Sequence, residues 1–150
     1  MSALWKQPIS VERLTAIHVG TTVAHLGIEF LEVGDDFIRG RAPVDGRTRQ
    51  PAGILHGGIS VLLAETLGSN GAAFAVPYGQ PVVGLDINAT HIRIVRAGWV
   101  NGIARPFHIG RTTHVWHIEL RNDADQLTCS SRITLIVLDV RTTPIGATAG

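Results

Sequence analysis

The sequence predicts an α+β fold, in which one long helix packs against one antiparallel sheet. The helix is indicated by the apolar stretch from about Gly57 to Ala75, where large side chains recur at helical spacing. The sheet is indicated by six shorter segments that are rich in β-branched residues and are separated by turn residues. No repeat or linker divides the chain, so we expect residues 1–150 to form a single domain with one core.

The elements before the long helix are a short helix and a hairpin. Ser10 can cap a helix that runs to about Val19. The hairpin strands are expected from Leu26 to Leu31 and from Phe37 to Ala42, joined at the turn Gly34-Asp35-Asp36.

Four more strands are expected after the long helix, which ends at the turn Pro77-Tyr78-Gly79. Turns are expected between them at Arg96-Ala97-Gly98, at Pro106 to Gly110 and at Asn122 to Gln126. The strands run approximately from Val82 to Val95, Trp99 to Arg105, Thr112 to Arg121 and Leu127 to Val140. The tail from Thr142 to Gly150 is small and polar, and we expect it to be loosely held.

Composition excludes several classes of protein. The formal net charge is only +1, which gives no sign of a nucleic-acid-binding or membrane-surface protein. No run approaches the roughly 20 apolar residues of a membrane span, and the first residues contain no apolar signal core. The single cysteine, Cys129, excludes an internal disulfide and lies in a predicted strand, so we expect a buried structural thiol. The expected protein is soluble and cytoplasmic.

Glu65 is an acid in an otherwise acid-free, apolar helix. Helical spacing predicts a face that packs on the core, made of Ile59, Leu62, Leu63, Thr66 and Leu67. Glu65 lies off that face, among mostly small residues: Gly58, Val61, Gly68, Ser69 and Ala72. A small face leaves room for a ligand or for a second backbone. From this helix alone, a solvated surface glutamate is an equally good interpretation.

The start of the same helix, His56-Gly57-Gly58, follows a polar loop from Asp45 to Gly53. Free backbone N–H groups at a helix start favour an anion or a carbonyl oxygen that is gaining charge, and glycine lets a ligand approach closely. Close packing of helix on sheet without a ligand is the alternative explanation for the two glycines.

The helix start and the acid are too far apart to act on one carbonyl within one chain. They are eight positions apart, which is roughly 12 Å along the helix axis. If both serve one substrate, they come from two antiparallel copies of the helix. That arrangement requires a homodimer with a site at its interface.

The pattern His114-Val-Trp-His117 suggests metal ligands at first sight. On a strand, an offset of three points the two side chains to opposite faces. We therefore expect no metal to be bound there.

The chain resembles the hotdog-fold acyl-CoA thioesterases of the glutamate-dependent 4-hydroxybenzoyl-CoA type. The resemblance is carried by the stretch from Pro43 to Ser69, which includes Gln50-Pro-Ala-Gly-Ile-Leu-His-Gly-Gly58, and by Val82 to Arg93 and Arg105 to Gly110. It covers nearly the whole chain. Within the family it is nearest to the branch of the 1,4-dihydroxy-2-naphthoyl-CoA thioesterases and the proofreading thioesterases of siderophore synthesis. Five positions recur at the family's spacing: Gln50, His56, Gly57, Glu65 and Ser69.

This resemblance implies a hotdog fold, in which the sheet wraps the helix, and a homo-oligomer built as a dimer of dimers. The Gly57 N–H would polarise a thioester carbonyl, with His56 and Gln50 assisting. Glu65 of the partner would act as nucleophile or as general base, and the sequence leaves both roles open. A hydrogen bond from Ser69 would help to keep the acid ionised. No metal or redox cofactor is implied, and coenzyme A is part of the substrate.

Coenzyme A carries phosphates, which need cationic donors. His91 and Arg93 share a predicted strand face, and further basic residues fall in nearby turns. Scattered surface charge explains these residues about as well. The resemblance favours CoA contacts from the segments that contain Gly84, His91, Arg93, Arg105, His108, Gly110 and Arg111. Which of them touch phosphate stays open.

At Asn70 the chain differs from the family that it resembles. The resemblance implies an apolar residue at this position, which helps to set the preference between CoA-borne and carrier-protein-borne substrates. Helical spacing places its amide toward the core or the acyl pocket, with Ile59, Leu63 and Thr66. A buried amide without partners costs roughly 1–3 kcal/mol. Its partner is either a backbone carbonyl or water, or a polar group on the substrate.

Three other functions remain as alternatives. A non-catalytic hotdog module that binds acyl-CoA would not need Glu65 or Gln50, and a hotdog hydratase would use an Asp/His pair that this helix lacks. A proofreading thioesterase would act on acyl carrier protein instead of acyl-CoA. The presence of Glu65 and Gln50 argues against the first alternative, and the missing Asp/His pair argues against the second.

Overall fold

The computed structural model describes residues 4–139, so the predicted tail from Thr142 to Gly150 and the predicted strand end at Val140 lie outside the described residues. The described range contains three helices and six strands. They are α1 (Val11–Ile17), α2 (Thr22–His25), β1 (Glu29–Val33), β2 (Ile38–Pro43), α3 (Gly57–Phe74), β3 (Val82–His91), β4 (Trp99–Ile109), β5 (Thr113–Asn122) and β6 (Leu127–Val137).

The six strands form one antiparallel sheet in the order β1-β2-β4-β5-β6-β3, and α3 packs against β2 to β6. The predicted α+β fold is therefore confirmed. Side chains of β5 alternate strictly between the buried face, which meets α3, and the outer face. That period of two is what a sheet with one covered face requires.

Glycines bring α3 unusually close to the sheet. Gly40 and Gly102 are direct partners on β2 and β4, and a Cβ on either would stand 2.8 Å from a methyl carbon of Leu67. On the helix itself, a Cβ on Gly71 would stand 2.6 Å from the ring of Trp116. Because both surfaces lack side chains at these points, the sheet can curve around the helix.

The N-terminal segment covers the end of α3. The Trp5 ring stacks on Trp116 at 6.2 Å, and its indole N–H donates to the carbonyl of Gly34 at 2.8 Å. The amide of Gln7 donates to the carbonyls of Ala73 and Val76, each at 2.9 Å. The bond to Ala73 satisfies a carbonyl that the end of the helix leaves free. The sequence did not predict these contacts.

The first helix begins where the sequence predicts. The hairpin that follows begins later in the chain than predicted. The Ser10 hydroxyl accepts from the Arg13 N–H at 3.2 Å, as the predicted cap requires. The helix ends at Ile17, and the extra helix α2 occupies residues 22–25. The first hairpin strand consequently begins at Glu29 instead of Leu26.

Two later boundaries also differ from the prediction. The expected turn from Pro106 to Gly110 is mostly strand, because β4 continues to Ile109 with a bulge between Pro106 and His108. A bulge accommodates a proline that cannot donate to the ladder. Strand β3 ends at His91 instead of Val95, since the N–H groups of Ile92 and Arg93 both bond to the Thr128 carbonyl.

Cys129 is 1% exposed, and its burial raises the pKa of the thiol, as expected for a structural cysteine. No helix in residues 4–139 is long and apolar enough to cross a membrane.

Candidate active site

The start of α3 presents a free backbone N–H group, that of Gly57. His56 is the N-cap, and its Nδ1 accepts from the Gly58 N–H at 2.9 Å. The Ile59 N–H donates to the His56 carbonyl. The Gly57 N–H has no acceptor among residues 4–139, so it alone of these donors remains available to a ligand.

The loop before α3 is fixed by its own hydrogen bonds. The Thr48 hydroxyl donates to the Pro43 carbonyl at 2.6 Å, and the Thr48 carbonyl accepts from the His56 N–H at 2.8 Å. Arg47 donates to the Asp45 carboxylate, which holds the pKa of Asp45 below its ordinary value and raises that of Arg47. The loop therefore holds Gln50 in place relative to the helix start.

A cleft of about 280 Å³ opens at this point, which we call the helix-start cleft. Gln50, Gly57, His91 and Arg93 all line it. The His91 ring lies against Gly57, with Nε2 3.0 Å from the position that a Cβ on Gly57 would occupy. The Gln50 side chain has no hydrogen-bond partner in the described chain. Four predicted site residues thus lie together around the free N–H, and one of them, His91, was expected only as a CoA contact.

Glu65 lies elsewhere, beside a second cleft of about 400 Å³ that we call the Glu65 cleft. Its carboxylate is exposed. Glu65 also lines a smaller cavity of about 130 Å³ together with Gly84. No hydrogen bond joins Ser69 to Glu65 within residues 4–139, so the assistance expected from Ser69 remains a prediction. The lining residues of the Glu65 cleft are His18, Gly58, Val61, Leu62, Glu65, Thr66, Ser69 and Asn70.

Asn70 is buried as predicted, and its amide is satisfied within the protein. Its Nδ2 donates to the Thr66 carbonyl at 2.7 Å and lies 3.0 Å from Nε2 of His18. The backbone carbonyl was one of the expected partners, whereas His18 was not foreseen. The two residues are 52 positions apart, and no local pattern joins them.

The packed face of α3 is broader than helical spacing suggested. Leu63, Thr66 and Leu67 are buried as predicted, but Ile59 and Leu62 are only half-buried. The curved sheet also covers residues that were assigned to the face of the acid, namely Gly68 and Ala72. The open face consists of Gly58, Val61, Leu62, Glu65 and Ser69.

The candidate CoA contacts fall into two groups at opposite ends of β3. His91 and Arg93 lie at the helix-start cleft, whereas Gly84 lies beside Glu65. Gly84 and His91 are separated along the strand by roughly 20 Å. Strand pairing places His108, Gly110 and Arg111 at the Gly84 end, because Ile109, His114, Leu135 and Gly84 are successive partners across the sheet.

Arg105 is placed differently from the other basic candidates. Its guanidinium is 2.6 Å from the Asp36 carboxylate and lies over the Phe37 ring. These contacts hold Arg105 against the β1–β2 hairpin, and its other guanidinium N–H groups have no hydrogen-bond acceptor within residues 4–139.

His114 and His117 do point to opposite faces of the sheet. His114 is 1% exposed, while His117 Nε2 lies 3.1 Å from the Ser130 hydroxyl. The described part of the chain contains no group of three His, Cys, Asp or Glu side chains that could hold a metal ion.

Comparisons with known proteins point in one direction. The model of the thioesterase superfamily matches residues 52–129. The 1,4-dihydroxy-2-naphthoyl-CoA hydrolase of Escherichia coli is 45% identical over 90% of this chain and 99% of its own length. The proofreading thioesterase EntH of Cronobacter turicensis is 44% identical over 90% of this chain and 98% of its own. A crystal structure of a thioesterase from Haemophilus influenzae, 45% identical, superposes with a TM-score of 0.91 and covers 95% of this chain and 99% of that one.

Proposed function

This chain belongs to the thioesterase superfamily and is a thioester hydrolase with the hotdog fold, and we propose that it hydrolyses acyl-CoA thioesters, in particular aryl- and hydroxyaryl-CoA, to the free acid and CoA. One observation carries the mechanism. The free Gly57 N–H and the exposed Glu65 carboxylate belong to the same helix but lie in different clefts.

A single thioester cannot use both groups within one chain. The carbonyl oxygen must lie about 3 Å from the N–H that stabilises it, and the acid must reach the same carbon or its attacking water. The two groups are roughly 12 Å apart along the helix axis. We therefore propose that each site combines the helix-start cleft of one subunit with Glu65 of a second, antiparallel copy.

Two surfaces support a second copy of the chain at this place. Strand β3 is at the edge of the sheet, and Val83 and Leu85 on it are 49% and 60% exposed. A long edge strand with exposed apolar residues is a template for pairing with another chain. The adjoining open face of α3 is also apolar, with Val61 and Leu62 only half-buried. The proposed assembly is a homodimer through these surfaces, itself paired into a tetramer.

The chemistry then follows from the groups present. The carbonyl oxygen accepts from the Gly57 N–H, and the amide of Gln50 can donate to it as well. His56 uses Nδ1 as an acceptor for Gly58, so its neutral ring carries the proton on Nε2 and can also donate. Polarisation by these donors makes the carbonyl carbon more electrophilic.

Glu65 of the second copy can complete the reaction in two ways. As a general base it takes a proton from water, whose oxygen attacks the carbonyl carbon, and it returns the proton to the departing CoA sulfur when the C–S bond breaks. As a nucleophile it forms an acyl anhydride with release of CoA, and water then hydrolyses the anhydride.

The same twofold arrangement would join the two separated groups of basic residues. Antiparallel copies of β3 bring the Arg93 end of one chain to the Gly84 end of the other, where His108 and Arg111 lie. Arg93 and Arg111 are exposed and have no ion-pair partner within residues 4–139, so we propose them as phosphate contacts. Carrier-protein thioesters remain the second candidate substrate, because the proofreading thioesterase is about as similar to this chain as the CoA hydrolase is.

Mixing of inactive variants tests the shared site. Gln50→Ala and Glu65→Gln alter side chains that have no hydrogen-bond partner in the described chain, so both variants are expected to fold. Unfolding and refolding a one-to-one mixture makes half of the dimers hybrids, and one of the two sites in each hybrid is intact. We expect about a quarter of the wild-type thiol release from an aryl-CoA.

Each variant refolded alone is the matched control for the mixture. Verified hybrid dimers that hydrolyse no faster than the variants alone would overturn the shared site. Comparison of kcat/KM for one acyl group on CoA and on carrier protein separates the two substrate classes.

A further inference from the structure

We propose that His18 is a specificity-determining residue, which donates a hydrogen bond from Nδ1 to an oxygen atom on the acyl part of the substrate. This inference rests on the proposed function, because it assigns the Glu65 cleft to the acyl group. It concerns the residue that caps the end of the first helix, which no local sequence pattern connects with the site.

The His18 ring is held in a fixed position. His18 is the C-cap of α1, and its ring stacks on Phe30 with centroids 5.3 Å apart and an angle of 27° between planes. Phe30 is buried in the core, so it anchors one face of the imidazole. The ring edge reaches Asn70 on α3, and both residues line the same cleft as Glu65.

Hydrogen bonding determines which ring nitrogen carries the proton. The Asn70 amide has two hydrogens, and one of them goes to the Thr66 carbonyl at 2.7 Å. The second is directed to Nε2 of His18, which is nearer to the amide nitrogen, at 3.0 Å, than to the amide oxygen, at 3.3 Å. The shorter of the two contacts assigns Nε2 as the acceptor, which places the imidazole proton on Nδ1. No group within residues 4–139 accepts that proton.

The cleft that His18 lines has the chemistry of a site for a flat, oxygen-bearing acyl group. Val61 and Leu62 provide an apolar wall, while His18 and Asn70 form a polar end. An apolar cleft with one oriented donor binds an aromatic ring that carries a hydroxyl or carbonyl oxygen better than an unsubstituted ring. Glu65 lines the same cleft, so a ring bound there lies beside the group proposed to act on the thioester.

A purely structural role is the competing interpretation, since the His18–Asn70 contact also joins α1 to α3. The two roles differ in what a substitution changes. A structural contact affects stability and alters hydrolysis of all acyl groups alike. A donor to the substrate changes the ratio between acyl groups with and without the oxygen.

The test compares benzoyl-CoA with the hydroxybenzoyl-CoA isomer that the wild type hydrolyses best. His18→Phe keeps the stacking on Phe30 and removes both ring nitrogens, and we expect it to lower the kcat/KM ratio of hydroxybenzoyl- to benzoyl-CoA by about tenfold. His25→Gln, in an exposed histidine on α2, is the matched control and should leave the ratio unchanged.

The double variant His18→Phe/Asn70→Leu keeps the test decisive if the single variant is unstable, because it replaces both polar partners together. A lowered ratio in either variant supports the proposal. An unchanged ratio in folded variants, with only the melting temperature lowered, would overturn it and leave the proposed function intact. A wild type that hydrolyses neither substrate would instead contradict the proposed aryl-CoA activity.

Discussion

Glu65 and Gly84 face each other between α3 and β3, with one carboxylate oxygen 3.4 Å from the position that a Cβ on Gly84 would occupy. The missing side chain leaves the acid exposed at the edge of the sheet. A bulge between Gly84 and Asp86 shifts the strand at this point. The acid is therefore presented at the edge strand, which is where a second copy of the chain would pair.

Replacement of Glu65 by glutamine should lower kcat by at least about a hundredfold, the lower end for a positioned acid or base. The carboxylate has no partner in the described chain, so the free energy of unfolding should not change. Thiol release from an aryl-CoA and thermal unfolding measure the two quantities. Glu32→Gln, an exposed residue of β1 with only a 3.5 Å ion pair, is the control. Near-wild-type turnover of Glu65→Gln would refute the catalytic assignment.

Gly57→Ala should reduce kcat/KM by about ten- to a hundredfold without loss of stability. The new Cβ would stand 3.0 Å from Nε2 of His91, so the ring must move and the carbonyl site beside the N–H narrows. Alanine also has the higher helix propensity, so the start of α3 should not be weakened. Gly46→Ala is the control, since its Cβ meets no atom within 4 Å. Steady-state kinetics check the prediction, and unchanged kcat/KM would contradict it.

Gly71→Ala should destabilise the fold by about 1–3 kcal/mol, even though alanine favours helix. Its Cβ would stand 2.6 Å from the Trp116 ring, which is fully buried and stacked on Trp5. Ser69→Ala on the same helix is the control and should stay within about 0.5 kcal/mol of wild type. Urea unfolding measures both. Equal free energies of unfolding for the two variants would contradict the prediction, because they would show that α3 and the sheet can move apart at Gly71 without loss of stability.

His114 should make the protein less stable in mild acid. Its burial, together with the nearby His108, lowers the pKa of His114 in the folded protein from the ordinary value of 6.5. The unfolded chain then binds more protons below that value, so this contribution to stability is complete above pH 6.5 and is lost as the pH falls toward the folded pKa.

Unfolding free energies at about pH 7.5 and about pH 5 measure this effect. The difference between the two pH values should be smaller in His114→Leu than in wild type. His25→Gln, which alters an exposed histidine, should keep the wild-type difference. An equal difference in all three proteins would assign the acid sensitivity to other groups.

The sequence predicted the secondary structure best where the signal is local. The Ser10 cap, the start of α3 at Gly57 and the apolar strands of β5 and β6 follow from neighbouring residues. The prediction failed where tertiary contacts override local preference. Pro106 suggested a turn, but a bulge lets β4 pass through it.

The site shows the same division. The resemblance and the helical spacing selected Gln50, Gly57 and Glu65, but neither indicated that His91 would lie against Gly57 or that His18 would contact Asn70. The latter contact joins α1 to α3 across 52 positions, and no periodicity extends over such a distance.

The sequence by itself determined that one helix carries a free N–H at its start and a lone acid eight positions later, because helix geometry fixes the spacing of residues on one element. Only the tertiary structure decided that the N–H group and the acid lie in two separate clefts. Each cleft also contains a histidine from another element, one from β3 and one from the end of α1. Contacts of that kind depend on how the sheet curves around α3, which is set by close approaches at Gly40, Gly102 and Gly71 between segments distant in the chain.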